Sequence, residues 1–176
     1  MFGIDWDISN TFVEADDFND LKKKLVPLLY KQVFHSTDEH GFHGILKTKE
    51  ILSGPDCKIK RQWPKTPAYF YEKGFVSLCD FYHPKKCSHI RDGYRKYSFF
   101  RHGHSNTTYL LLLKKEYYNK LITWYDIKAK DDWVGKQIVP YIESGLKSPI
   151  SLNCISQVIK IKLWEEPYWP SRFQPQ

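Results

Sequence analysis

Residues 32–38 read Gln32-Val33-Phe34-His35-Ser36-Thr37-Asp38, and residues 44–52 read Gly44-Ile45-Leu46-Lys47-Thr48-Lys49-Glu50-Ile51-Leu52. Val33 and Phe34 suit a pleated, half-buried surface, so residues 32–35 read as a short strand. Ser36, Thr37 and Asp38 have the short oxygen-bearing side chains that cap a helix, and they mark where the strand gives way to one. The helix that follows carries Phe42, Ile45, Leu46, Ile51 and Leu52 at helical spacing, and Ser53-Gly54-Pro55 stops it.

Working outward, Asp16-Asp17 is placed to cap an earlier helix through Leu21 and Leu25 toward Leu28, with Pro27 expected to bend or end it. Downstream, residues 53–74 are rich in Pro and Lys and read as an extended loop, and residues 74–78 start a strand with alternating faces. Residues 81–94 read as loop. Strands are expected at 94–100 and 108–113, joined through 101–106, then a short helix at 115–121 and strands at 123–127 and 136–142. A helical turn at 152–155 and a strand at 157–163 close the chain. Strands outnumber helices and several are joined by short turns, which predicts an α+β fold with a largely antiparallel sheet.

The chain has 176 residues, the material of one domain. Its divisions are an acidic segment at 1–30, a core at 31–164 and a tail at 165–176. Hydrophobic residues at 41% and aromatics at 16% exclude the composition of a disordered polymer. The net charge of +7 is unevenly spread: residues 1–30 carry −3, residues 31–130 carry +10, and residues 131–176 are neutral. All seven histidines fall in the basic centre, so an anionic partner is expected there. The start MFGIDWDISN lacks the basic, apolar pattern of a secretory signal, and the longest apolar run, residues 109–113, is far too short to span a bilayer. With Cys57, Cys79, Cys87 and Cys154 showing no CxxC pair, the expectation is a cytoplasmic protein with reduced thiols and no membrane partner.

Three strands present polar groups that can converge on one cleft: His35 on the first, Ser77 within Phe75-Val76-Ser77-Leu78, and Glu143 at the end of Val139-Pro140-Tyr141-Ile142-Glu143. Each also has an ordinary reading, as a hydrogen-bonding strand histidine, a strand serine and a solvated turn glutamate. Serine-hydrolase, phosphate-loop and Rossmann fingerprints are all missing from the sequence.

The order of these motifs, with the run from Gly44 to Leu52 between the first two, resembles the ADP-ribosyltransferase superfamily over residues 32–163. It is most similar to the bacterial toxin and phage-defence branch that includes DNA-modifying members. The resemblance implies a split, mainly antiparallel sheet with flanking helices, NAD as co-substrate, and in the toxin branch a neutralising antitoxin protein. It further implies that His35, with Ser36 and Thr37 beside it, holds the adenosine-side ribose. Ser77 would shape the nicotinamide pocket, with Phe75 or a loop tyrosine stacking on the ring, and Glu143 would be the catalytic carboxylate. Two departures bear on substrate. The strand reads Val76-Ser77-Leu78-Cys79 without a serine-threonine-serine run, and Tyr141 stands where arginine-modifying members carry Gln or Glu, which argues against protein arginine as acceptor.

Lys85, Lys86, Arg91, Arg95, Lys96 and Arg101 are interleaved with Tyr82, Tyr94, Tyr97, Phe99 and Phe100. Cations meet phosphates and aromatic faces stack on unpaired bases, so this composition favours a nucleic-acid acceptor. The alternatives are a nucleic-acid-binding module without catalysis and a nuclease using histidines such as His102 and His104. Cys79, His83, Cys87 and His89 lack the spacing of a zinc site, and no metal is expected.

Overall fold

The computed structural model describes residues 8–53, 69–86, 88–90, 106–130 and 138–164. Strand β5 (Thr107–Leu113) sets the layering, because its run Thr108 to Leu113 is buried on both faces and must therefore be covered on both. Its neighbours are β2 (Val33–Asp38) and β8 (Ile155–Leu163), and beyond them lie β4 (Phe75–Asp80), β6 (Glu143–Lys147) and β1 (Ser9–Ala15). These six strands form one sheet in the order β1-β8-β5-β2-β4-β6. A second, two-stranded sheet pairs β3 (Glu50–Ile51) with β7 (Ile150–Ser151).

Alternation along β5 assigns the two faces. Leu110 and Leu112 join Phe34, Ile159 and Ile161 beneath Leu21, Leu25 and Leu29 of helix α1 (Phe18–Leu29). Tyr109, Leu111 and Leu113 face the other way, with Val33, Val158 and the buried Phe42 and Ile45 of helix α2 (Glu39–Thr48). The Phe42 ring lies flat on Tyr109, centroids 4.0 Å apart. The described elements are thus mixed α and β, with a mainly antiparallel sheet and flanking helices. No helix among the described residues is long and apolar enough to cross a membrane.

Several local expectations are corrected. The segment 1–30 was expected to contribute only a helix, yet Ser9–Ala15 forms an edge strand that runs parallel to β8 in the register Ser9↔Gln157 to Ala15↔Leu163. It is held by burying Val13 and Ala15 on the α1 face. Pro27 does not end α1. The helix, capped by Asp17 accepting from the N–H groups of Asn19 and Asp20, continues to Leu29. Burying Leu21, Leu25 and Leu29 contributes roughly 1.5–3 kcal/mol each, more in sum than the ~3 kcal/mol a helical proline costs.

Helix α2 stops at Thr48 rather than running through Leu52, because Lys49 turns left-handed at φ 63° and donates its N–H back to the Ile45 carbonyl. Ile51 is then free to be buried in β3. The capping residue is Asp38, whose carboxylate accepts from the Gly41 N–H, while Ser36 and Thr37 remain in β2.

A short helix spans Tyr69–Glu72, and the strand expected at 123–127 is instead the start of a helix at Trp124–Lys130, with Thr123 just before it. With Tyr69–Glu72 as α3, the helix Trp124–Lys130 is α4. Its start is a reciprocal cap: the Asp126 carboxylate accepts from the Thr123 N–H and hydroxyl at 2.8 and 2.7 Å. Of the strand expected at 136–142, residues 136 and 137 lie outside the described residues; the rest is corrected, since residues 140–142 form a turn and the strand begins at Glu143. Residues 115–120 are a 3-10 helix. The strand expected at 94–100 and the connection at 101–105 lie outside the described residues.

Candidate functional site

Strands β2 and β4 are six residues each, yet their antiparallel ladder holds only Val33↔Asp80 and Phe34↔Cys79. A continued register would set Ser36 opposite Ser77. Instead the strands part, and the imidazole of His35 bridges the split, with Nδ1 3.1 Å from the Ser77 carbonyl oxygen. A carbonyl only accepts, so Nδ1 carries the proton, and in the neutral ring Nε2 is an acceptor. β2 stays anchored on its other side, where His35 pairs with Leu111 of β5.

Ser77 turns its hydroxyl the other way. In the β4/β6 register Cys79 faces Glu143 and Ser77 faces Gly145, so Ser77 and Glu143 are diagonal neighbours on one face. Ser77 Oγ donates to Glu143 Oε1 at 2.6 Å, and the Val139 N–H donates to Oε2 at 2.6 Å. Both oxygens of the carboxylate are therefore fixed. Burial pushes the Glu143 carboxyl above the usual carboxylate range, while the two donors from Ser77 and Val139 pull the other way.

The turn that presents Glu143 is closed by its own N–H, which donates to the Val139 carbonyl at 3.1 Å. Tyr141 sits at the apex with φ 70°, a left-handed backbone that costs a non-glycine residue about 1 kcal/mol or more. Its ring is held in an aromatic nest: flat against His89 at 3.9 Å, edge-on to Trp124 at 5.8 Å and tilted to Tyr125 at 6.4 Å.

The remaining expected residues fall as follows. Ser36 and Thr37 are half-buried on β2, and the first turn of α2 lies against Thr37 so closely that a Cβ on Gly41 would be 2.1 Å from its Oγ1. Phe75 is on the Ser77 face of β4, its half-buried ring 6.3 Å from Phe70, so it also serves packing. Lys85 and Lys86 are exposed in the loop after β4. Arg91, Arg95, Lys96 and Arg101 lie outside the described residues, as do Cys57, Cys87, His102 and His104. Among the described residues no group of three or more His, Cys, Asp or Glu is arranged to hold a metal.

Two features were missed in the sequence. Asp80, 2% exposed, accepts from the Tyr82 and His83 N–H groups and from His83 Nδ1 at 2.7 Å, while its own N–H donates to the Ile142 carbonyl. It therefore braces the loop after β4 and ties it to the turn of Glu143. The Asp80 carboxylate raises the His83 pKa, opposed by partial burial and aided by Asp126. The signal was present as Asp-x-x-His beginning at the last residue of an apolar strand. The second feature, the Val139 N–H grip on Glu143, is a backbone contact that no residue type announces.

Comparison with protein-family models, with curated proteins and with solved structures gives no match.

Proposed function

We propose that this chain transfers ADP-ribose from NAD to a macromolecular acceptor, with nucleic acid favoured over protein, on a split-sheet ADP-ribosyltransferase-like fold. The observation that carries the reading is the position of Ser77, which takes His35 on its carbonyl and grips Glu143 with its hydroxyl where β2 and β4 part. Both groups suit ribose: the Nε2 of a neutral His35 and the Glu143 carboxylate accept hydrogen bonds from hydroxyls.

Cleaving the bond between nicotinamide and ribose leaves positive charge on the anomeric carbon, as in glycoside hydrolysis. Nicotinamide departs neutral with the bonding electron pair. A carboxylate bonded to the adjacent 2′-hydroxyl stabilises the cationic ribose, and the acceptor then forms the new bond to the anomeric carbon and releases a proton. Glu143 fits this role because its two oxygens are held by donors from different elements and cannot swing away.

Incubation with NAD labelled in the adenosine portion, with separate DNA, RNA and protein pools, tests the reading. Wild type should label a macromolecule and release nicotinamide, and Glu143→Gln should lose about 100-fold or more of that rate. No nicotinamide release with any pool would overturn it.

A further inference from the structure

The loop after β4 leaves the sheet directly beside Glu143, since Phe81 is two residues beyond Cys79, the residue paired with Glu143. That loop and α4 form one surface. The Lys85 N–H donates to the Tyr125 hydroxyl at 3.0 Å, and the Lys85 ammonium lies 5.0 Å from the centroid of the Tyr125 ring. Lys128 is one helical turn on from Tyr125, on the same side of α4. Tyr82 is 48% exposed although one side of its ring is set by Tyr118 at 5.0 Å and by His83 at 4.9 Å. Asp80 and His83 hold the loop that carries it.

We infer that this surface docks single-stranded nucleic acid, with bases against Tyr82 and Tyr125 and phosphates against Lys85, Lys86 and Lys128. Lysines alone would serve any polyanion, including an acidic peptide. Two preset aromatic rings among them select a partner that has both phosphates and exposed π-faces, which an unpaired strand has and a duplex conceals. The rings are already braced, so little conformational freedom is lost on binding. The surface also reaches the site, because the Tyr125 ring is 6.4 Å from Tyr141 on the Glu143 turn. The inference rests on the transferase reading for what happens to the strand, and on this surface alone for binding.

Fluorescence anisotropy with labelled single strands of about 12 nucleotides, the length scale of such grooves, as DNA and as RNA of the same sequence, tests it. Binding at low salt should weaken about tenfold in Tyr82→Ala and in Tyr125→Ala. The exposed double variant Lys85→Ala/Lys86→Ala should lower the salt slope by about 0.7 per lysine removed. No binding at low salt overturns the inference. So does equal binding by wild type and all variants, or a Glu-rich peptide bound as tightly as the strands. Nicotinamide release by wild type without any strand separates the two ideas. Strand binding without release keeps this surface and removes the transferase reading, while release without strand binding does the reverse.

Discussion

Ser77 donates its hydroxyl to Glu143 Oε1 at 2.6 Å while its backbone carbonyl receives His35 Nδ1 at 3.1 Å, so one residue of β4 couples groups from β2 and β6. The bond to the carboxylate favours its charged form and opposes the effect of burial. If the ionised form is the active one, the rate rises with pH through the Glu143 titration. Ser77→Ala removes a lowering interaction, so the acid limb of the rate profile should move to higher pH and the plateau rate should fall roughly 10- to 100-fold, the range for a hydrogen bond to a charged group. Ser77→Thr, which keeps the hydroxyl, should restore the wild-type limb. An unmoved limb in Ser77→Ala would show that the bond does not tune Glu143.

The raised Glu143 carboxyl also has a consequence for stability. Its folded pKa lies above that of the unfolded chain, so between the two values the native state holds a proton that the unfolded state has released. Stability therefore declines as pH rises from the ordinary carboxylate range through the folded pKa. Gln at this position can still accept from the Val139 N–H and donate to Ser77, without a charge to desolvate. Glu143→Gln should gain stability relative to wild type as pH rises through that window, measured as the difference between urea midpoints at successive pH values. A difference that is constant with pH would mean the carboxyl is not perturbed.

The placement of these three residues was legible because each is a polar side chain in or beside an apolar strand, and topology needed only to set those strands side by side. Glu143 was nonetheless placed at the wrong end of its strand. Val139 and Tyr141 alternate as strand residues do, and nothing in their chemistry announces that Tyr141 adopts φ 70°. The helix at Trp124–Lys130 was obscured by a different conflict: Thr123, Trp124, Tyr125 and Ile127 all favour strands, and the Thr123-x-x-Asp126 cap that overrides them is a two-residue signal. Strand β1 depends on distant pairing with β8, which no local pattern contains.

His83 supplies a second pH dependence, of opposite origin. The Asp80 carboxylate raises its pKa, and Asp126 adds to the effect. This contribution is complete below the ordinary histidine range and is lost as pH rises through the folded pKa of His83. His83→Gln should flatten wild type's decline in stability across that window, seen in thermal midpoints taken at steps from about pH 6 upward, since the unperturbed value is about 6.5. The decline persisting unchanged in the variant would assign it to another group.

Gly145 lies opposite Ser77 in the register, and the space where its side chain would stand is filled by Phe70: a Cβ there would be 2.2 Å from Phe70 Cδ1 and 2.3 Å from Cε1. The ring is 1% exposed, so it has no solvent into which to swing. Gly145→Ala should therefore cost about 1–3 kcal/mol, the range for overpacking a closed core. Phe70→Leu alone should also destabilise, through lost packing. The double variant should lose less than the two single changes together, because leucine vacates part of the volume the new methyl group needs. Strict additivity in the denaturant midpoints, with m-values unchanged, would show that the two residues do not compete for this space. It would also release β6 from the constraint that keeps the residue facing Ser77 without a side chain.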